Sequence, residues 1–216
     1  MYKRQGPVRA AFVGDSLTLG IGDPGRLGWV GRLARHYPRE ELLAYNLGVP
    51  GETVRDIARR WRCETRSRLP AGGLLVFSFG TNDALQRASA DLASVLTQAE
   101  YVLGQASRDH VVLFITPPPS GDPALNTFLA GFGKELAGHA EAAGALVFDA
   151  FGVLSQDPVW REQMRSGDGL HPGEAGYARL AERVAASGAW REGCDRARAR
   201  FNGAGSAGVR TGTGSS

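Results

Sequence analysis

Short apolar runs alternate with stretches of helical periodicity through most of this chain. Runs bounded by Gly, Pro or polar residues predict strands over residues 9–13, 42–46, 74–79, 111–116 and 146–149. Apolar residues three and four apart predict helices over 28–37, 53–67, 89–107, 124–143, 159–164 and 173–187. The Ala-rich pair, 89–107 and 124–143, reads as cover for a sheet. Strands alternating with helices in this way predict an α/β fold of three layers, a five-stranded parallel sheet covered by helices on both faces. No internal repeat or linker interrupts residues 7–192, which read as one domain.

Ligands in such folds bind beyond the C-terminal ends of the strands, so the strand endings are where chemistry is expected. The first strand runs into Gly14-Asp15-Ser16-Leu17, the second into Asn46-Leu47-Gly48-Val49-Pro50-Gly51, and the third into Gly80-Thr81-Asn82-Asp83. The fourth runs into Pro117, Pro118 and Pro119, which suit a rigid pocket wall better than catalysis.

Composition narrows the classes further. With 216 residues and 43% hydrophobic content the chain has enough material for one substantial core. The net charge is +3, but 25 basic residues are scattered among 22 acidic ones. The nearest basic cluster, 191–200, reads as a solvated C-terminal helix face, so no nucleic-acid partner is expected. Cys63 and Cys194 form no disulfide framework or zinc pattern and read as free thiols. Arg9 and Asp15 interrupt the only N-terminal apolar run, so no signal peptide is visible, and no stretch is long enough to span a membrane. A cytoplasmic protein is the expectation, with residues 1–6 and 202–216 as disordered or non-native tails.

A serine on a strand-to-helix turn is held out of the core, beside backbone N–H groups that point where an oxyanion would form. This makes Ser16 a candidate nucleophile for acyl transfer, provided that a general base can take its proton. Three of the four histidines, His36, His110 and His139, read as surface or packing residues. His171 sits in the loop Asp168-Gly169-Leu170-His171-Pro172, with a carboxylate three residues before it. Alone, this loop is equally a helix start, with Pro172 near the first position and Glu174 in the first turn. Beside Ser16, it reads as a base with its orienting acid. The expected oxyanion donors are the N–H of Ser16, the N–H of Gly48 and the side-chain amide of Asn82. Trp29, Pro117, Pro118, Trp160 and Met164 are candidates to line an apolar acyl pocket, although Trp and Met are also common core residues. Asp15 and Asp83 are assigned hydrogen bonding within their loops.

These segments resemble, in order, the motif blocks of the SGNH hydrolases, also called GDSL esterases and lipases. The resemblance assigns Ser16 as nucleophile, Gly48 and Asn82 as oxyanion residues and the pair Asp168 and His171 to the last block. It covers the chain from about Val8 to Trp190 with no departure at those five positions. It implies a flavodoxin-like sheet and hydrolysis of small-molecule or lipid esters with no metal or cofactor. The expected activity is that of a serine esterase on acetyl or short- to medium-chain acyl esters. A lysophospholipase or thioesterase acting on longer chains is the alternative. An α/β-hydrolase would place glycine where Thr18 stands and its acid on a separate loop. A catalytically idle flavodoxin-like binding module would have no need of the complete set of five. A phosphate-binding loop over residues 14–22 lacks the Gly-x-x-x-x-Gly-Lys run.

Overall fold

The computed structural model describes residues 6–89 and 91–207. The elements run β1 (Val8–Gly14), α1 (Ser16–Leu19), α2 (Gly28–Arg35), β2 (Leu42–Gly48), α3 (Val54–Arg66), β3 (Leu74–Ser78), α4 (Thr81–Leu85) and α5 (Leu92–Asp109). They continue with β4 (Val111–Ile115), α6 (Pro123–Ala142), β5 (Leu146–Phe148), α7 (Ala150–Leu154), α8 (Pro158–Ser166), α9 (Glu174–Ala185) and α10 (Gly188–Ala207). All five predicted strands are present and pair in parallel in the order β2-β1-β3-β4-β5, the doubly wound arrangement expected.

The central strands read as unbroken apolar runs because both of their faces are buried. Alternate residues point to opposite faces, so Phe12, Val76, Leu113 and Ile115 join a core beneath α2, α8, α9 and α10. Val13, Leu75, Phe77 and Phe114 join a second core beneath α3, α5 and α6. Several helix starts are set by an aspartate cap. Asp91 accepts from the Ser94 N–H, Asp122 from the Ala124 N–H, and Asp157 from the N–H groups of Val159 and Trp160. Pro123 and Pro158 occupy the first helical turns, where a missing N–H costs nothing. The helix predicted from residue 89 therefore starts later, at Leu92, behind its cap.

The end of the chain corrects the sequence reading. Helix α10 runs past residue 192 and through residues 202–207, which the sequence reads as part of a tail. Trp190, Cys194 and Ala197 are buried at spacings of four and three, so the arginine-rich segment is a sheet-covering helix with one apolar stripe. The expected tail positions 1–5 and 208–216 lie outside the described residues. Among the described residues no helix is long and apolar enough to cross a membrane.

Gly14 at the end of β1 lies level with Gly48 of β2 on one side and Ser78 of β3 on the other. Strand order reverses between β1 and β3, so the turns leaving these strands border the crevice where doubly wound sheets bind ligands.

Trp190 ties α10 to this framework, its ring stacked 6.0 Å from Phe12 and its indole N–H donating to the Tyr37 hydroxyl at 2.8 Å. Trp190→Ala is expected to cost about 3–5 kcal/mol of stability, measured by urea unfolding. A loss below about 1 kcal/mol would show that α10 does not brace the sheet.

Candidate active site

The turn that presents Ser16 is built by close backbone approach. A Cβ on Gly14 would lie 2.3 Å from the Ser78 carbonyl oxygen and 3.0 Å from the Thr18 Cβ, so only glycine fits where β1 ends. Asp15 then caps α1, its carboxylate accepting from the Leu17 N–H at 2.9 Å. Helix α1 is a single turn, closed by Gly20 in the left-handed region with its N–H donating to the Ser16 carbonyl. Ser16 thus stands at the first helical position, and its own N–H has no hydrogen-bond partner among the described residues.

The loop between α8 and α9 brings the other polar groups to it. The Ser16 Oγ lies 2.8 Å from His171 Nε2, and His171 Nδ1 lies 2.7 Å from an Asp168 carboxylate oxygen. The second Asp168 oxygen accepts from the N–H groups of Leu170 and His171 at 2.8 and 2.7 Å, which locks the loop around its own carboxylate. Partial burial raises the Asp168 pKa, but the hydrogen bonds from the His171 ring and the two N–H groups outweigh it and hold the carboxyl at about 2. A charged Asp168 places the imidazole proton on Nδ1 and leaves Nε2 free to accept from Ser16.

Two contacts that sequence reasoning missed hold this loop against the Ser16 turn. The Tyr177 hydroxyl donates to the Ile21 carbonyl at 2.6 Å, joining α9 to the segment after α1. Arg32 pairs with Asp23 in that segment and with Glu174 at the start of α9. Arg32, with the N–H groups of Gly28, Gly25 and Leu27, brings the Asp23 carboxyl down to about 2.

The structure corrects one expected oxyanion donor. The Gly48 N–H donates to the Asn46 side chain at 3.0 Å, and that amide is oriented by its own donation to the Thr18 carbonyl at 2.9 Å. A Cβ on Gly48 would lie 2.3 Å from the Leu19 N and 2.8 Å from the Asp15 carbonyl oxygen. Gly48 is therefore where α1 presses onto β2, and its N–H is already engaged. Gly51, three residues on, has a φ of 79° and nothing within 4 Å of its Cβ position. Its N–H has no hydrogen-bond partner among the described residues. The next residue, Glu52, accepts from Asn82 Nδ2 through its carbonyl at 2.9 Å, which sets the Gly51 segment beside the Asn82 amide. Asn82 Nδ2 also lies 3.3 Å from an Asp15 carboxylate oxygen, a longer and weaker bond.

The expected pocket residues are mostly core. Trp29 is buried against Phe12, with ring centroids 5.4 Å apart at near right angles, and cannot contact a ligand. Pro117 packs against Gly80 at the start of α4, and Pro118 is buried beside it. Trp160 and Met164 are buried too, yet with Pro119, Phe151 and Arg161 they border an open cavity of about 890 Å³ that reaches Asp168. Neither Ser16 nor His171 borders that cavity. Leu19, Ile21, Val49 and Leu85 are exposed apolar groups on the segments that carry Ser16, Gly51 and Asn82, namely α1, the loops that follow α1 and β2, and α4.

Two buried carboxylates adjoin the site. Burial pushes the Asp15 carboxyl up to about 6, against the Leu17 N–H bond that lowers it, and burial likewise pushes Asp83 up to about 6 against the Val54 N–H. An acid whose pKa is raised on folding holds its proton more tightly in the folded state than in the unfolded chain. Stability therefore falls as pH rises from about 4 to about 6, and the loss persists above that range. Asp83→Asn retains an oxygen for the Val54 N–H and removes one titration. The drop in Tm between about pH 4.5 and about pH 7.5 is expected to be smaller in this variant than in the wild type. An equal drop would contradict the assignment.

Residues 12–179 match the model of the GDSL-like lipase/acylhydrolase family. Among solved structures, the lipase/acylhydrolase from Enterococcus faecalis has a TM-score of 0.70 at 25% identity, covering 87% of this chain and 96% of that one. The acetylxylan esterase from Geobacillus stearothermophilus has a TM-score of 0.67 at 20% identity, covering 83% and 94%. A member of the lipolytic protein G-D-S-L family from Veillonella parvula DSM 2008 has a TM-score of 0.67 at 21% identity, covering 82% and 95%. No curated protein matches the chain. The sequence match spans β1 to α9 and takes in Ser16, Asn82, Asp168 and His171, so this chain belongs to the GDSL-like lipase/acylhydrolase family and is a carboxylic ester hydrolase.

Proposed function

We propose that this protein hydrolyses acetyl and short- to medium-chain acyl esters through an acyl-enzyme on Ser16. The observation that carries the proposal is the continuous chain of hydrogen bonds from Ser16 Oγ to His171 Nε2 at 2.8 Å and from His171 Nδ1 to Asp168 at 2.7 Å. His171 takes the Ser16 proton as Oγ bonds to the ester carbonyl carbon, and Asp168 stabilises the imidazolium that forms. The tetrahedral oxyanion is met by the N–H groups of Ser16 and Gly51 and by the Asn82 amide, which exchanges its longer bond to Asp15 for the stronger charge. Collapse breaks the bond to the alcohol oxygen, which leaves with the proton from His171. Water then attacks the acyl-enzyme, giving its proton to His171, and Ser16 departs as the hydroxyl.

The surroundings support an apolar acyl group of modest length. Leu19, Ile21, Val49 and Leu85 are exposed apolar side chains on the segments that carry Ser16, Gly51 and Asn82. The fold likeness to an acetylxylan esterase supports acetylated carbohydrates as one substrate class.

The test is a series of p-nitrophenyl esters of increasing acyl length, run on wild type, Ser16→Ala and Asp168→Asn. Hydrolysis is expected to be fastest on the shorter esters and to vanish in Ser16→Ala. Asp168→Asn is expected to lower kcat on the order of 10³- to 10⁴-fold by misplacing the imidazole proton. Preference for the longest chains would favour a lysophospholipase or thioesterase instead. A folded wild type inert on every ester would refute the proposal.

A further inference from the structure

We infer that Arg60 is a positioning residue for the oxyanion site, a single guanidinium that holds the segments carrying its three donors at a fixed separation. The inference rests on the catalytic reading of Ser16 proposed above. Arg60 lies on α3, and its Nε reaches both carboxylate oxygens of Glu52 at 2.8 and 2.6 Å. Its Nη2 donates to the Gly14 carbonyl at 3.1 Å, and Nη1 reaches Glu64 at 3.2 Å. The Arg60 and Glu52 side chains are only 15% and 14% exposed, which limits screening by solvent.

The consequence lies in what these partners carry. Gly14 leads directly into Asp15 and the Ser16 N–H. Glu52 follows Gly51, and its carbonyl accepts from Asn82 Nδ2 at 2.9 Å. One rigid fork therefore spans the first two donor segments directly and reaches the third through the Glu52 backbone. A guanidinium can do this because its donors diverge in one plane as a fixed fork, whereas the three donors of an ammonium radiate from a single nitrogen without that fork.

Holding α3 in place does not require Arg60. The helix starts with the N–H and hydroxyl of Thr53 both donating to the Asp56 carboxylate, its first N–H donates to Asp83, and Val54, Ile57 and Trp61 bury it in the core. Most of the Arg60 contacts instead leave the helix, toward Glu52 and Gly14. Oxyanion stabilisation is sensitive to small displacements of its donors, so loosening this clamp should be read in the chemical step.

The experiment measures kcat, KM and Tm on p-nitrophenyl acetate for wild type, Arg60→Ala, Arg60→Lys, Asn82→Ala and the double variant Arg60→Ala/Asn82→Ala, with Ser16→Ala as control. Rates are normalised to sites titrated by a fluorophosphonate. Arg60→Ala is expected to lower kcat about 10- to 100-fold with KM changed less than about 3-fold. Arg60→Lys should recover part of that loss. In the Asn82→Ala background the Arg60→Ala loss should shrink, because one of the three donors it helps to place is gone. Unchanged kcat per titrated site with a lowered Tm would reduce Arg60 to a structural tie and overturn the inference, as would losses that simply multiply in the double variant. If Arg60→Ala is insoluble, Arg60→Lys and Glu52→Gln decide by the same kcat criterion. Absence of Ser16-dependent hydrolysis in the wild type would instead sink the reading of Ser16 itself.

Discussion

The close approach of one helical turn to two adjoining strand ends is the constraint on which the site depends. Helix α1 sits so near β1 and β2 that a Cβ on Gly48 would fall within 3 Å of its backbone, and a Cβ on Gly14 would meet the Thr18 side chain of α1 and the Ser78 carbonyl of β3. The same compression lifts Ser16 out of the sheet with its N–H unengaged, and it fixes where an electrophile must sit. His171 reaches Ser16 with α9 held toward this turn by its buried face, by the Tyr177 hydroxyl on the Ile21 carbonyl and by Arg32 between Asp23 and Glu174. Local chain geometry supplies the proposed nucleophile, while long-range packing supplies its proposed base.

That division explains how much of the site was legible in the sequence. Ser16, Asn82, Asp168 and His171 lie in short motifs whose residue types reveal their chemistry, and the structure brings them together. Gly48 and Gly51 are three residues apart in one turn, and residue type alone does not separate them. Two local signals do. Asn46 stands two residues before Gly48, the spacing at which an asparagine side chain captures a backbone N–H, whereas Gly51 follows Pro50, the order that favours a positive φ at the glycine. The three central strands were legible because burial on both faces leaves little room for polar residues, and the half-buried edge strands β2 and β5 because turn residues bound their short apolar runs. Helices α1, α4 and α7 were not, because four or five residues carry no readable period. In α10, scattered arginines masked the stripe of Trp190, Cys194 and Ala197. Trp29 was assigned to a pocket by its size and chemistry, but the same properties suit it to the core.

The acidic groups near Ser16 divide by environment rather than by residue type. Asp168 keeps its charge through bonds to His171 and two N–H groups, while burial pushes Asp15 and Asp83 up to about 6. A charged, buried Asp15 competes with a developing oxyanion for the Asn82 amide, yet the same carboxylate caps the turn that presents Ser16. Stability is therefore given up to hold the proposed nucleophile in place, as is common where a protein stores function in a buried polar corner.

The crystal structure of the protein inactivated by a short alkyl fluorophosphonate tests the central claim most directly. Phosphorus is expected on Ser16 Oγ, with the phosphoryl oxygen about 3 Å from the N–H groups of Ser16 and Gly51 and from Asn82 Nδ2. An unmodified Ser16, or a phosphoryl oxygen turned toward Gly48 and away from Gly51 and Asn82, would contradict it.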